Sequence, residues 1–366
     1  MSAIGNVIGK LYRGESNVDF VGRQKLWYSL SIMLLLLSLV GLFTRGLNFG
    51  VEFTGGSVFS FKAPTASIEQ VRETIEAAGP RQVIVQKAGE SWRATTESVP
   101  AEEITRVQQT VAQQYSIQQD QVSVQVIGAS WGGQVSEKGF LGLIVFMIAI
   151  IAYLSIAFEW RMALAAVVAL LHDLLITTGV YAWSGFEVTP ATLLGFLTIL
   201  GYSLYDAVVV FDMIKEVTAK LGGQSKITYT DAANDALNST LIRSLNTSLV
   251  AILPVASILF IGTTLLGAGT LKDLALALFV GMIIGTYSSL CVATPLLVTL
   301  KEREPQYQAL SKRVAVRNQS IAKAEAREAR SASVAQSKGQ VRRSDRKEPV
   351  TAANGVAPTA QKRKKK

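Results

Sequence analysis

ATLLGFLTILGYSLYDAVVVFDMI, residues 191–214, is an apolar run long enough to cross a bilayer, and it carries Asp206 in its middle. An ionised carboxylate in hydrocarbon costs about 2.5–3.5 kcal/mol on insertion scales. A chain that keeps one there uses it for a proton, an ion or a buried partner. A second run, MALAAVVALLHDLLITTGVYAW (162–183), carries His172 and Asp173 at its centre. The sequence therefore reads as an α-helical membrane protein with ionisable groups inside the membrane.

Working outward, six segments reach spanning length: 26–43, 139–158, 162–183, 191–213, 247–266 and 271–300. Hydrophobic residues make up 49% of the chain and charged residues 17%, at a mean hydropathy of +0.32, so charge is concentrated outside these runs. The first run is long, begins after 25 residues and lacks a small-residue cleavage site, so it reads as an uncleaved anchor. Cys291 is the single cysteine, which rules out an intramolecular disulfide and a cysteine metal cluster within one chain.

Lysines and arginines flank the spans unevenly. Lys10, Arg13, Arg23 and Lys25 lie in the N-terminal segment 1–25, and Lys215, Lys220 and Lys226 come after the fourth span. The loops 184–190 and 262–270 have none. By the positive-inside rule, both termini are expected in the cytoplasm of a multi-pass cell-membrane protein, with 44–138 outside. The tail 301–366 carries 18 of the 36 basic residues and a net charge of +12, and few large apolar residues. It is expected to be a largely disordered, solvated cytoplasmic tail, or one that contacts anionic lipid or ribosomal RNA.

The segment 44–138 has its own pattern. SVFSFKA (57–63), RQVIVQKAG (81–89), SWRATT (91–96) and QVSVQVIG (121–128) read as strands, with a Gly-Glu turn joining the second and third. Residues 67–79 carry Ile68, Val71, Ile75 and Ala78 at helical spacing, and 100–115 carry Ile104, Val107, Val111 and Tyr115. The order β-α-β-β-α-β predicts a small α+β, ferredoxin-like external domain between helices 1 and 2. It shows no nucleophile with a base and no histidine, and reads as a contact or lever module. Before it, Gly55 and Gly56 permit a tight turn or a close backbone approach. Glu52 lies near the outer membrane surface, where it is placed to pair with another subunit.

At about 1.5 Å per residue, Asp173 lies roughly 18 Å beyond Arg161, and Asp206 roughly 14 Å before Lys215. The two acids thus reach similar depths in spans 139–300. Thr198, Tyr202 and Ser203 sit at helical spacing from Asp206 and suggest a hydrogen-bonding stripe. Thr177, Thr178 and the TYSS stretch 286–289 add further hydroxyls. Desolvation disfavours a carboxylate's charged form, which suits a proton carrier that is neutral when dry and ionised when water reaches it. A buried acid held by interhelical hydrogen bonds is the structural alternative. His172 reads first as a hydrogen-bonded packing residue, and Asp212 as interfacial. Arg243 stands at the start of the fifth run, where it either snorkels to the surface or turns inward to pair with an acid.

VEFTGGS (51–57), LHDLLITTGVYAWSGFEVT (171–189), LTILGYSLYDAVVVFDMIKE (197–216) and NSTLIRSLNTSL (238–249) resemble the SecF family, the smaller subunits of SecD–SecF export complexes among the resistance-nodulation-division transporters. The resemblance runs from about residue 20 to residue 300. It implies half of a two-half transporter, with SecD as the other half and the SecYEG channel, SecA and YidC as further partners. The cargo it implies is a preprotein, pulled on the outer side at the expense of the proton gradient. Matched by motif, it places the proton site at Asp206, just after the Gly201-Tyr202-Ser203 stretch, and at Arg243. The chain departs from the family at Tyr205, where Asn is usual. A proton-driven exporter of small molecules or lipids and a passive channel-stabilising scaffold are the competing readings. Neither an enzyme, a cofactor nor a metal is expected, since no nucleotide loop, nucleophile–base pair or metal-ligand spacing occurs.

Overall fold

The structure is a computed structural model and describes residues 18–81, 83–88, 90–221, 226–262 and 269–344. The expectations for Lys10, Arg13, Gly89 and the tail beyond Ser344 lie outside these residues. Residues up to Leu310 form one unit and those from Ser311 a second.

The first span is α1 (Gln24–Thr44). After it, β1 (Asn48–Phe49) leads into a one-turn helix, α2 (Val51–Thr54). The intervening domain comes next as β2 (Gly56–Lys62), α3 (Ile68–Glu76), β3 (Val83–Ala88), β4 (Ser91–Thr96), α4 (Ala101–Tyr115) and β5 (Ser123–Ile127). This is the β-α-β-β-α-β order predicted from the pattern. The four strands are all antiparallel in the spatial order β3-β4-β2-β5. Ser67 starts α3 through a reciprocal capping box with Gln70. Strand periodicity sends Phe59, Phe61, Trp92 and Ala94 to the face covered by Val71, Ile75, Val107 and Val111 of the two helices. Ile68, expected in the helical stripe, is exposed because it opens the first turn at the edge of the domain.

The remaining spans are α5 (Ala129–Ala157), α6 (Trp160–Ser184), α7 (Pro190–Ala219), α8 (Tyr229–Ser257) and α9 (Gly269–Ser288). Between α6 and α7, β6 (Glu187–Val188) pairs in parallel with β1. All six are long and apolar enough to cross a membrane, and a helix satisfies its own backbone groups there. The third and sixth spans are the most buried, and the second the least. Small residues let the first and third approach closely: a Cβ at Gly179 would overlap Ser38.

Two expectations are corrected. The fifth span begins at Tyr229, not at 247, because a Thr228–Asp231 capping box starts the helix and Ala232, Ala233, Ala236 and Leu237 bury its first turns in the protein. Hydropathy registers only the later, lipid-exposed part, with Leu249, Val250 and Leu253. The tail also departs from disorder. After α10 (Thr294–Lys301), α11 runs over Pro305–Ser344, since its Ala, Glu, Gln, Lys and Arg are strong helix formers even without a core.

Both α8 and α9 end in π-helical turns, Ile258–Gly262 and Ser289–Ala293. Pro254 lies inside α8, where it withholds a backbone donor one turn before the first of these. The second falls at the centre of the sixth span, and such turns mark functional sites more often than chance.

Candidate functional site

Four spans converge on the two acids. Asp173 of the third span is fully buried. Its Oδ2 accepts from Ser203 Oγ of the fourth span at 2.6 Å and from Ser288 Oγ of the sixth at 2.8 Å. Its Oδ1 lies 3.1 Å from His172 Nδ1. Asp206 of the fourth span is buried as well. Its Oδ1 accepts from Ser244 of the fifth span, and its Oδ2 from Ser289 of the sixth. Ser288 and Ser289 are adjacent, yet each serves a different acid. The π-helical turn that begins at Ser289 alters the helical phase there, and Thr294 donates to the Ser289 carbonyl five residues back.

Among the described residues, every hydrogen-bond donor to Asp206 is a neutral hydroxyl. Such donors hold the carboxyl in place with no counter-charge bonded to it.

The candidates separate into those brought to this centre and those left outside it. Asp173, Asp206, Ser203 and His172 are assembled there. Tyr202 is partly buried, with its hydroxyl facing Ser248 and Thr286. Gly201 stands one residue before it and is partly buried. Thr198, expected in one stripe with Ser203 and Asp206, is exposed and bonds back to the Leu194 carbonyl. Asp212 is exposed on the same helix. Arg243 does not pair with Asp206 within the chain. It lies mid-helix on the exposed face of α8, because its neighbour Ser244 takes the inward position. Tyr205 and Asn246 are exposed with it on spans four and five. Ser244 went unnoticed in the sequence, although it sits one residue after the arginine the motif singled out. Ser288 and Ser289 were visible only as part of a run of hydroxyls.

The glycine pair has a backbone reason. Gly55 and Gly56 have φ of 76° and 148°, conformations that favour glycine, and they turn the chain from α2 into β2. A Cβ at Gly56 would overlap the Thr96 carbonyl oxygen. Glu52, expected to meet another subunit, lies 3.5 Å from Arg93 of the chain's own domain.

A six-span bundle with two carboxylates at its centre and a sheet domain between its first two spans defines a multi-pass membrane protein with an internal acid site, the class to which ion-driven transport components belong. Two family models match, one described as protein export membrane protein SecD/SecF, C-terminal, over residues 106–303, and one as the SecD/SecF GG motif, over 40–63. The chain is 48% identical over 331 residues to the protein translocase subunit SecF of Streptomyces coelicolor, covering 90% of this chain and 89% of that one. It belongs to the SecF family of protein translocase subunits, which are part of SecD/SecF protein export. It is also 37% identical to SecF of Mycobacterium tuberculosis, covering 86% of this chain and 74% of that one. A crystal structure of SecDF from Thermus thermophilus, a translocon-associated membrane protein, superposes with a TM-score of 0.72 at 28% identity. The match covers 79% of this chain and 39% of that longer one.

Proposed function

We propose that this chain is the half of a SecD–SecF pair that converts proton passage into work on an emerging preprotein. The observation that supports the reading is Asp206, buried at the middle of the fourth span and held by serine hydroxyls alone among the described residues. Thermus thermophilus SecDF places both names in one chain, which supports SecD as the partner here. Arg243, Tyr205 and Asn246 are each exposed on otherwise apolar spans, and a partner half with an acid of its own suits the arginine. SecYEG, SecA and YidC complete the setting, in the cytoplasmic membrane with both termini inside.

In this scheme water from the outer side protonates Asp206. The neutral acid loosens its claim on Ser244 and Ser289. Spans four, five and six repack, and the intervening domain shifts. Release of the proton to the cytoplasm resets the arrangement. One charge crossing 100 mV supplies about 2.3 kcal/mol, enough to bias conformers a few kcal/mol apart. A small-molecule exporter would want larger external domains than the segment 44–138 supplies.

The test is Asp206→Asn in the full complex, assayed for export into inverted membrane vesicles. Membrane insertion is expected to be intact and stimulation by the proton gradient abolished. Undiminished stimulation would overturn the proposal and leave the acids as a strut.

A further inference from the structure

A second group of ionisable side chains lies away from the paired acids, where the intervening domain meets the bundle. Glu187 is in the connector between the third and fourth spans, and its side chain is 1% exposed. Arg93 and Thr95 come from β4, on the face opposite Trp92 and Ala94, which the domain core covers. Thr95 Oγ1 donates to Glu187 Oε1 at 3.2 Å. Arg93 Nη2 stands 3.9 Å from Glu187 Oε2 and 3.5 Å from Glu52 Oε1. Both distances exceed hydrogen-bond length. Glu52 rides on α2, which is joined to the connector: β1 pairs with β6, and Gly50 N donates to the Val188 carbonyl at 2.9 Å.

The group is incomplete. Glu52 Oε2, Arg93 Nε, Glu187 Oε2 and Asp273 Oδ1 are all buried without a hydrogen-bond partner. Asp273 opens the sixth span, where Tyr181 of the third span donates to its carbonyl oxygen. Lys272 has its ammonium 4.5 Å from the centre of the Phe186 ring. Three carboxylates thus share one guanidinium and one ammonium. Beside the group, the sheet rests on α2 through a small apolar contact of Val51, Val58 and Ile127. A buried ionic group with unfilled donors and acceptors costs more than it returns. A single well-formed ion pair would have satisfied the site, whereas a guanidinium between two acids is open to choice.

We infer that Arg93 is a positioning residue, holding the intervening domain on the membrane bundle through a latch with Glu187 and Glu52 that a proton on Glu187 releases. With Glu187 ionised, the guanidinium is drawn toward the connector and the sheet is held down. With Glu187 neutral, only the more exposed Glu52 and Asp273, which has Lys272 beside it, attract the guanidinium, and the sheet is free to tilt about the Gly55–Gly56 turn. Burial pushes the Glu187 carboxyl above the ordinary carboxylate range and Arg93 opposes it; with Arg93 withdrawn and the carboxyl still enclosed by the connector the proton is held more tightly, so protonation favours the released sheet. The inference rests on the reading that the domain moves in step with proton passage.

The test uses the full-length protein with its SecD partner in lipid nanodiscs, with Cys291→Ala and spin labels at Gln109→Cys and Ser184→Cys. Electron–electron resonance reads the domain-to-bundle distance. A narrow distribution is expected at neutral pH, broadening on acidification. Glu187→Gln should be broad at every pH, and Arg93→Gln likewise, while Arg93→Lys restores the narrow population at neutral pH. A narrow, pH-independent distribution in Glu187→Gln or in Arg93→Gln would overturn the latch, and either variant suffices if the other does not fold. If these distances behave as expected but Asp206→Asn exports normally, the latch stands and the proton-driven reading falls. If Asp206→Asn abolishes stimulation while the distances never change, the latch alone falls.

Discussion

Ser244 of the fifth span donates its hydroxyl to Asp206 of the fourth, which leaves Arg243, the preceding residue, on the outer face of the same helix. One turn of helix therefore offers the acid a neutral partner within the chain and offers a fixed charge to whatever lies beside it.

The internal bond is measurable by a double-mutant cycle. Ser244→Ala leaves one oxygen of a buried carboxylate without its donor, which costs about 1–3 kcal/mol. In an Asp206→Asn background the same change should cost less, since an amide oxygen is less demanding than a carboxylate. The coupling should be at least about 0.5 kcal/mol. Cys291 is the only cysteine and is buried, so a thiol-reactive dye reports unfolding of the purified protein directly. Additive effects would mean that the bond contributes nothing.

Arg243→Ala should behave in the opposite way. Its side chain is exposed, so the chain's own stability should stay within about 0.5 kcal/mol of the parent. The loss should appear in recovery of SecD on affinity purification and in gradient-stimulated export. A large fall in thermal stability with normal recovery of the partner would return the arginine to a role inside the subunit.

Sequence patterning read the spans and the strand-helix order of the intervening domain well, because both depend on local periodicity. It read the paired acids because charge in an apolar run is conspicuous. It missed what serines do. A hydroxyl is indifferent to its surroundings until a specific acceptor arrives from another helix, and the acceptor for Ser244 is 38 residues away. The same holds for Arg93, which looks like a surface residue of a strand until β4 is placed over Glu187. The start of the fifth span was hidden because protein, not lipid, surrounds its first turns.

Glu187 makes stability depend on pH with a defined sign. Its folded-state pKa is raised, chiefly by burial, so the folded chain holds that proton more tightly than the unfolded one. Its contribution is fully present below the ordinary carboxylate value and is lost as pH rises through the folded value. The dye-reported melting temperature should therefore fall across that interval in the parent and less so in Glu187→Gln. At neutral pH the variant should melt no lower than the parent, since burial is the largest cause of the shift and a neutral amide keeps an acceptor for Thr95. Identical pH profiles would show that the carboxyl is not strained by its surroundings.

The start of the described chain is held by two asparagines of the fifth span. Asn234 Oδ1 accepts from Phe20 N at 3.0 Å, and Asn234 Nδ2 donates to the Val18 carbonyl at 3.1 Å. Asn238 brackets Val18 from both sides, accepting from its N–H and donating to its carbonyl, each at 2.9 Å. An aspartate cannot donate and a leucine can do neither. Asn238→Leu should loosen this segment, at a cost of about 1–3 kcal/mol for the Val18 N–H left unpaired. Limited proteolysis should then cut at Arg23 or Lys25 several-fold faster, while Asp206-dependent export is changed little. If cleavage there stays at the parent rate, the asparagines are not what holds the segment, and the neighbouring contacts of Phe20 and Val21 with the core must suffice.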